Sequence, residues 1–280
     1  MSVSSSVGGL ASRAPSVFSG YLAVARMSFR EFTAYKVDVV IQFLTYPVVF
    51  LASYFFLAGT HSEGLGHTGF SQAQLLTYYS MGWLLRMINH HGADMFMSGT
   101  ILSGDISSDL IKPLDYHAAL LARSAGKVAA RVMYYALPAF VLLTLVVKQF
   151  LIPLDATLPA FLVFTLLGLL VAFEVQYLVG CLAFYITINF QIAWIVDMFV
   201  RLASGLIVPL SLLPAWIKDS LGGLPFPYIY FVPIQVWLGK IETSQYLPLL
   251  GKGLLWLLVL HGLNRMLFRH ARRHIAVFGG

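Results

Sequence analysis

Residues 39–58 read VVIQFLTYPVVFLASYFFLA, twenty residues without a single charge. An α-helix needs about 20 consecutive apolar residues to cross the hydrocarbon core of a bilayer. Five further long apolar stretches, each with one or two charged residues, follow at 75–95, 129–147, 159–186, 192–213 and 247–267. Soluble domains are about 45–50% apolar and about 25% charged. This chain of 280 residues is 59% hydrophobic and 11% charged, too apolar to be enclosed by a polar surface of its own. The predicted class is an all-α integral membrane protein with six transmembrane helices. The net charge of +6 fits basic cytoplasmic loops better than a nucleic-acid partner. The single cysteine, Cys181, lies inside an apolar run and reads as a buried structural thiol.

The beginning of the chain, MSVSSSVGGLASRAPS, is small and polar with no apolar region of signal-peptide type. It is expected to be a disordered cytoplasmic tail over residues 1–17, followed by one membrane domain over 18–280. With the N-terminus inside, twelve of the 18 Lys and Arg fall in cytoplasmic segments, three outside and three within spans. That asymmetry predicts both termini on the cytoplasmic side. Ahead of the first span, Leu22, Ala25, Phe29 and Phe32 recur at helical spacing, with Arg26, Arg30 and Glu31 elsewhere on the wheel. This predicts an amphipathic helix at the inner interface, its basic residues near anionic headgroups. Between the fifth and sixth spans, Pro214, Pro225, Pro227 and Pro233 forbid one continuous helix. With Trp216, Tyr228, Tyr230, Phe231 and Trp237 among them, short re-entrant helices at the outer interface are expected.

Residues 102–116, LSGDISSDLIKPLDY, interrupt the apolar pattern between the second and third spans. Asp105 to Ile111 has the length of two helical turns. Ser103 is available as its cap, and Pro113 ends it. Ile106 and Leu110 share a face at i, i+4, joined by Ile111. A solvated loop, a helix resting on lipid and a helix docking into a groove of a soluble partner all fit this pattern. A second helical stretch, from Tyr116 to about Lys127, is expected to lead into the third span.

The order of these features resembles the permease subunits of type-2 ATP-binding-cassette exporters, in particular a bacterial subgroup. SGDISSDLIKPLDY, LARSAGK, LPFPYIYFVPIQVWLGK and the terminal IAVFGG carry the likeness, over roughly residues 18–280. The resemblance implies that the segment after the second span holds a coupling helix docked on an ATPase. On it, Gly104, Asp105, Ile106, Leu110, Ile111, Lys112 and Pro113 would be the ATPase contacts. It further implies a pathway lined by the second and fifth spans, formed with a second copy or a related permease. An ATPase dimer that binds ATP and Mg is the implied partner, and the bacterial inner membrane the implied location.

Other chemistry is thin. Gly126-Lys127, Gly239-Lys240 and Gly251-Lys252 are followed by Val, Ile and Gly, so no hydroxyl is placed for magnesium. Hydrolysis must come from another chain, and no cofactor is expected in this one. Gly64, Gly66 and Gly69 match a dinucleotide fingerprint, but in a loop with no preceding strand. His90 and Asp94 share a helix face beside His91, too few ligands for a closed metal site. The more telling residues are Arg86, Glu174, Asp197 and Arg201, all inside spans. A charge near the bilayer centre costs roughly 2.5–3.5 kcal/mol on insertion scales, so partners or a polar cavity are expected. Asp197 and Arg201 stand at i, i+4, and Glu174 or Asp197 is expected to neutralise Arg86. Two rival functions fit less of the chain. One is a lipid-modifying membrane enzyme using His90, His91 and Asp94. The other is a proton-driven transporter using Glu174, which the lack of an inverted repeat disfavours.

Overall fold

The computed structural model describes residues 17–34, 70–89, 92–146, 150, 152–153, 157–186 and 189–272. The expected first span at 39–58, the tail at 1–16, His90, His91 and the loop glycines Gly64, Gly66 and Gly69 lie outside them. Among the described residues every regular element is helical. In chain order the α-helices are α1 (Val17–Ala34), α2 (Gln72–Asn89), α3 (Ala93–Leu102), α4 (Ile106–Ile111), α5 (Tyr116–Arg131) and α6 (Leu137–Val146). They continue with α7 (Thr157–Cys181), α8 (Asn189–Ala203), α9 (Ala215–Gly222), α10 (Phe231–Trp237) and α11 (Tyr246–Ala271).

Among the described residues, three continuous helical stretches are long and apolar enough to cross a membrane: Tyr116–Leu145, Thr157–Phe184 and Thr243–Ala271. The first joins α5 to α6 through a π-helical turn at Val132–Ala136. The stretch expected to lead into the third span is therefore one helix with it. Exposed Leu142, Leu145, Leu162, Leu166, Leu255 and Leu258 on these helices are what lipid-facing surfaces require.

The second expected span is not one helix. α2 stops at Asn89, Gly92 takes a left-handed backbone (φ 67°), and α3 restarts at Ala93. A break inside hydrocarbon strands backbone polar groups. Here the amide of Gln176, on α7, meets both sides of the break. Its Nε2 donates to the Asn89 carbonyl at 3.1 Å, and its Oε1 accepts from the Ala93 N–H at 3.2 Å. Gly180 lets α3 lie close on α7, because a Cβ there would fall 2.9 Å from the Met97 sulfur.

The fifth expected span, 192–213, also ends early. α8 closes at Ala203, and Gly205 turns the chain with φ 79°. The Tyr78 hydroxyl donates to the Gly205 carbonyl at 2.6 Å and pins that turn to α2. Pro209 then starts a single 3-10 turn at Leu210–Leu212. Periodicity extended the helix across this turn because the residues beyond it stay apolar.

The proline-aromatic segment forms short helices, as expected: α9, a 3-10 turn at Phe226–Tyr228, and α10. α10 is deeply packed against α7, with Ile234 and Val236 fully buried. These residues belong to the larger apolar core, built with α2, α6, α7 and Leu260 of α11. Beyond α10, the Lys240 ammonium sits 3.4 Å from the Phe70 ring centroid. This is a cation–π contact, and burial lowers the ammonium's pKa.

α1 packs along α5, with Ser28 buried in the contact. Gly126 makes the approach possible, since a Cβ there would collide with the Ala25 carbonyl. Phe32 meets Tyr135 edge-on at 5.4 Å, and Arg123 donates to Glu31 at 2.6 Å. Leu22, expected on the apolar face of an interfacial helix, is 40% exposed, and Phe18 and Met27 are more exposed still. The helix thus packs Ser28, Phe29 and Phe32 toward α5 and the π-helical turn that follows it and leaves Phe18, Leu22 and Met27 outward.

Candidate functional site

Two polar clusters and one projecting segment carry the sequence-predicted site residues. The first cluster joins α2 to α8. Arg86 Nη2 donates to Asp197 Oδ2 at 2.9 Å, and Arg201, one turn below on α8, donates to the same oxygen. Of the two expected partners for Arg86, the structure pairs it with Asp197. Arg201 Nε is buried without a hydrogen-bond partner. These three side chains border a cavity of about 370 Å³ whose walls come from α2, α3, α7, α8 and the segment at Ile229–Tyr230. Asp94 and Gln176 add polar edges, and Met95, Trp194 and Val200 apolar ones. A cavity of this size with few polar groups suits a small or partly inserted ligand.

Glu174 is not in that cluster. It lies on α7, 6% exposed, and is surrounded by donors from two other helices. His117 Nε2, at the start of α5, is 3.1 Å from Oε2. His261 Nδ1, on α11, is 3.0 Å from Oε1. Asn264 Nδ2 donates to Oε2 at 2.6 Å and to the Glu174 carbonyl at 2.8 Å. Of the described residues, His117, Glu174 and His261 are the group whose ligand atoms converge as a metal would require. Sequence reasoning missed both histidines and Asn264. The usable signal was that Glu174 in an apolar run demands partners, and a lone His in an apolar helix is one kind.

The segment after α3 is the third element. α4 begins at Ile106, one residue later than expected, with Asp105 at the cap position. Ser103 does not cap it through its side chain; its hydroxyl donates to the Asp105 carboxylate at 2.7 Å. Gly104 has φ 81°, so the chain reverses there. The three apolar residues divide. Ile106 is 2% exposed and sits in a second core with Tyr116, Leu120, Phe173 and Tyr177. Leu110 is 36% and Ile111 84% exposed. Lys112 bonds back to Asp109 at 2.6 Å, and its extended backbone ahead of Pro113 ends the helix.

Asp115 fixes this segment to the bundle. Its carboxylate caps α5 through the Ala118 N–H at 3.0 Å and accepts from Arg265 of α11 at 3.1 Å. Its own N–H donates to the Tyr21 hydroxyl of α1 at 3.1 Å. Three helices therefore meet at the base of the projecting turn.

A helical chain with three membrane-length helices among its described residues is a multi-pass membrane protein. Over residues 37–276 it matches the family described as ABC-2 family transporter protein, and it belongs to that family. Comparison with curated proteins gives no match. The chain is thus a membrane component of a transporter, and its family implies an ATP-binding-cassette ATPase as partner in general terms.

Proposed function

We propose that this chain is the membrane subunit of an ATP-driven exporter, with six spans, both termini cytoplasmic, in a bacterial inner membrane. In this reading residues 18–280 act as one domain, α1 lies at the inner interface and α9–α10 form the re-entrant segment. Two copies, or one copy and a related permease, enclose the pathway. ATP and Mg are bound by the partner ATPase dimer. The observation that carries the reading is the build of residues 103–113. Ile106 is locked into the core while Leu110 and Ile111 are presented outward, and Asp115 ties the base to α1, α5 and α11. A rigid base with an apolar tip and a charged rim suits transmission of force from a docked partner. Gly104, Asp105, Lys112 and Pro113 would form the rim. Ile106 would act from inside, by holding α4 in place.

The cavity beside Arg86, Asp197 and Arg201 is lined by α2 and α8, the helices of the second and fifth expected spans. This supports a pathway there, switched between two packings that the docked ATPase biases. The test is purification of the tagged chain from its host in mild detergent, beside Leu110→Glu with Ile111→Glu. An ATPase that comes with the parent and not with the variant is the expected result. A parent that comes alone, or a variant that keeps the ATPase, would overturn the coupling assignment.

A further inference from the structure

We propose that His117, Glu174 and His261 form a binding site for a divalent transition metal, zinc above all, that clamps α5, α7 and α11 together. The three residues stand 57 and 87 positions apart in sequence, yet their ligand atoms lie within 4.8 Å of one another. Tetrahedral zinc, with bonds of about 2.0–2.2 Å to nitrogen and carboxylate oxygen, needs donor atoms roughly 3.3–3.5 Å apart. The nitrogen–oxygen separations here are 3.0 and 3.1 Å, one to each carboxylate oxygen, and with all three ligand atoms within 4.8 Å the rings would have to close in by up to about an ångström to share one ion.

Three features favour a metal over a hydrogen-bonded carboxylate alone. Both histidines aim a ring nitrogen at the same carboxylate, one at each oxygen, with their rings 4.7 Å apart and nearly perpendicular. One histidine would suffice to hold a buried Glu. Asn264, fully buried, donates from its side-chain Nδ2 to the Glu174 carboxylate and to the Glu174 backbone carbonyl, the support that carboxylate ligands typically have. The site is closed on one side, where His117 packs on Phe173 and Tyr177. On the other side the His261 side chain is 38% exposed, so the protein does not fully enclose the cluster there.

The donor set narrows the ion. Two imidazoles and a carboxylate without thiolate suit zinc, and after it nickel or cobalt, over calcium or magnesium, which take oxygen ligands. Binding requires each imidazole to carry its proton on the ring nitrogen turned away from Glu174. His117 is two residues beyond Asp115, the residue that fixes the projecting segment to α1 and α11. A bound ion would therefore stiffen the base of that segment. This consequence for transport rests on the coupling reading; metal binding itself does not.

The test uses the full-length chain in mild detergent, stripped with EDTA and titrated with Zn(II) alone. Bound zinc is read by elemental analysis and thermal unfolding in parallel. The expected result is about one zinc per chain and a Tm rise of about 5 °C at hundredfold excess over the dissociation constant, reversed by EDTA. His261→Ala removes both, while His270→Ala, outside the cluster, keeps both. His261→Ala is the variant of choice because Glu174 retains His117 and Asn264. Should it fail to fold, Co(II) on the parent decides. Strong visible absorption of a tetrahedral nitrogen and oxygen site supports the proposal, and the weak spectrum of a six-coordinate ion overturns it. Equal zinc uptake by parent and His261→Ala, or none by the parent, overturns it as well.

Discussion

Glu174 and Asp197, two carboxylates inside the bundle, are compensated in opposite ways. Glu174 is 6% exposed and held by three side chains from two other helices, each aimed at it. Asp197 is 33% exposed, and one of its oxygens serves two arginines beside a cavity. The first arrangement is tightly packed, with imidazole and amide partners from two other helices. The second is open, with more cationic donors than its aspartate satisfies and room for another molecule. The contrast separates a residue that fixes helices from one that lies where something enters. A buried charge whose partner is deleted is costly, whereas a partly hydrated one relaxes into water.

The sharpest way to break this contrast is at Glu174. Glu174→Ala leaves His117, His261 and Asn264 facing a void in the centre of the protein. The loss is expected to be about 3–5 kcal/mol, seen as aggregation or a much-reduced folded fraction in detergent. Glu174→Gln, which keeps the shape and one acceptor, should recover much of the folded yield. If Glu174→Ala were as stable as its parent, the closed cluster would not be holding the helices.

The matching change at the open cluster is expected to be milder. Asp197→Ala leaves Arg86 and Arg201 bordering the cavity rather than sealed in packed protein, and should cost about 1–2 kcal/mol, read as a modest fall in Tm with folded yield kept. The exchange Arg86→Asp with Asp197→Arg sharpens the point. Each single reversal places like charges together, and the pair should restore most of the stability lost in either. No recovery in the double variant would mean that the contact between α2 and α8 is not the main partner of either residue.

The same contrast marks what sequence reading reaches. The membrane-length helices at 116–145, 157–184 and 243–271 were legible because apolar runs and helical length are local properties. The short helices α9 and α10 were legible through their prolines. The break at Gly92 was not, because what makes it tolerable is Gln176, more than 80 residues away. The early end of α8 depends in the same way on Tyr78 reaching Gly205. The Arg86–Asp197 pairing was within reach because intramembrane charges are few and must neutralise. The histidines around Glu174 were not, since a lone His in an apolar helix carries no mark of its distant partners. In the projecting segment, period alone grouped Ile106 with Leu110. Only packing separates the buried residue from the exposed ones.

Between these extremes lies the packing of α1 on α5. Gly126→Val brings a branched side chain against the Ala25 backbone, which cannot yield as a side-chain tip would. The expected cost is about 1–3 kcal/mol. Thermal unfolding in detergent reads it, and a loss as large as that of Glu174→Ala would make this helix pair, not the Glu174 cluster, the main determinant of stability.

The smallest effect is expected at the Asp115–Arg265 bridge, and it tests whether exposure or position decides what a charge does. Both side chains are more than 40% exposed, so solvent screens the pair and Arg265→Ala should change stability by less than about 1 kcal/mol. Position argues otherwise for its influence on α4, because the bridge joins the base of that segment to α11. The variant is therefore expected to keep the parent's Tm within about 2 °C while proteolysis at residues 103–113 quickens. Unchanged proteolysis would leave the Asp115 cap on α5 and the Tyr21 contact as sufficient restraints. A large fall in Tm would mean that the bridge is less hydrated than its exposure indicates, and would place Asp115 with Glu174 rather than with Asp197.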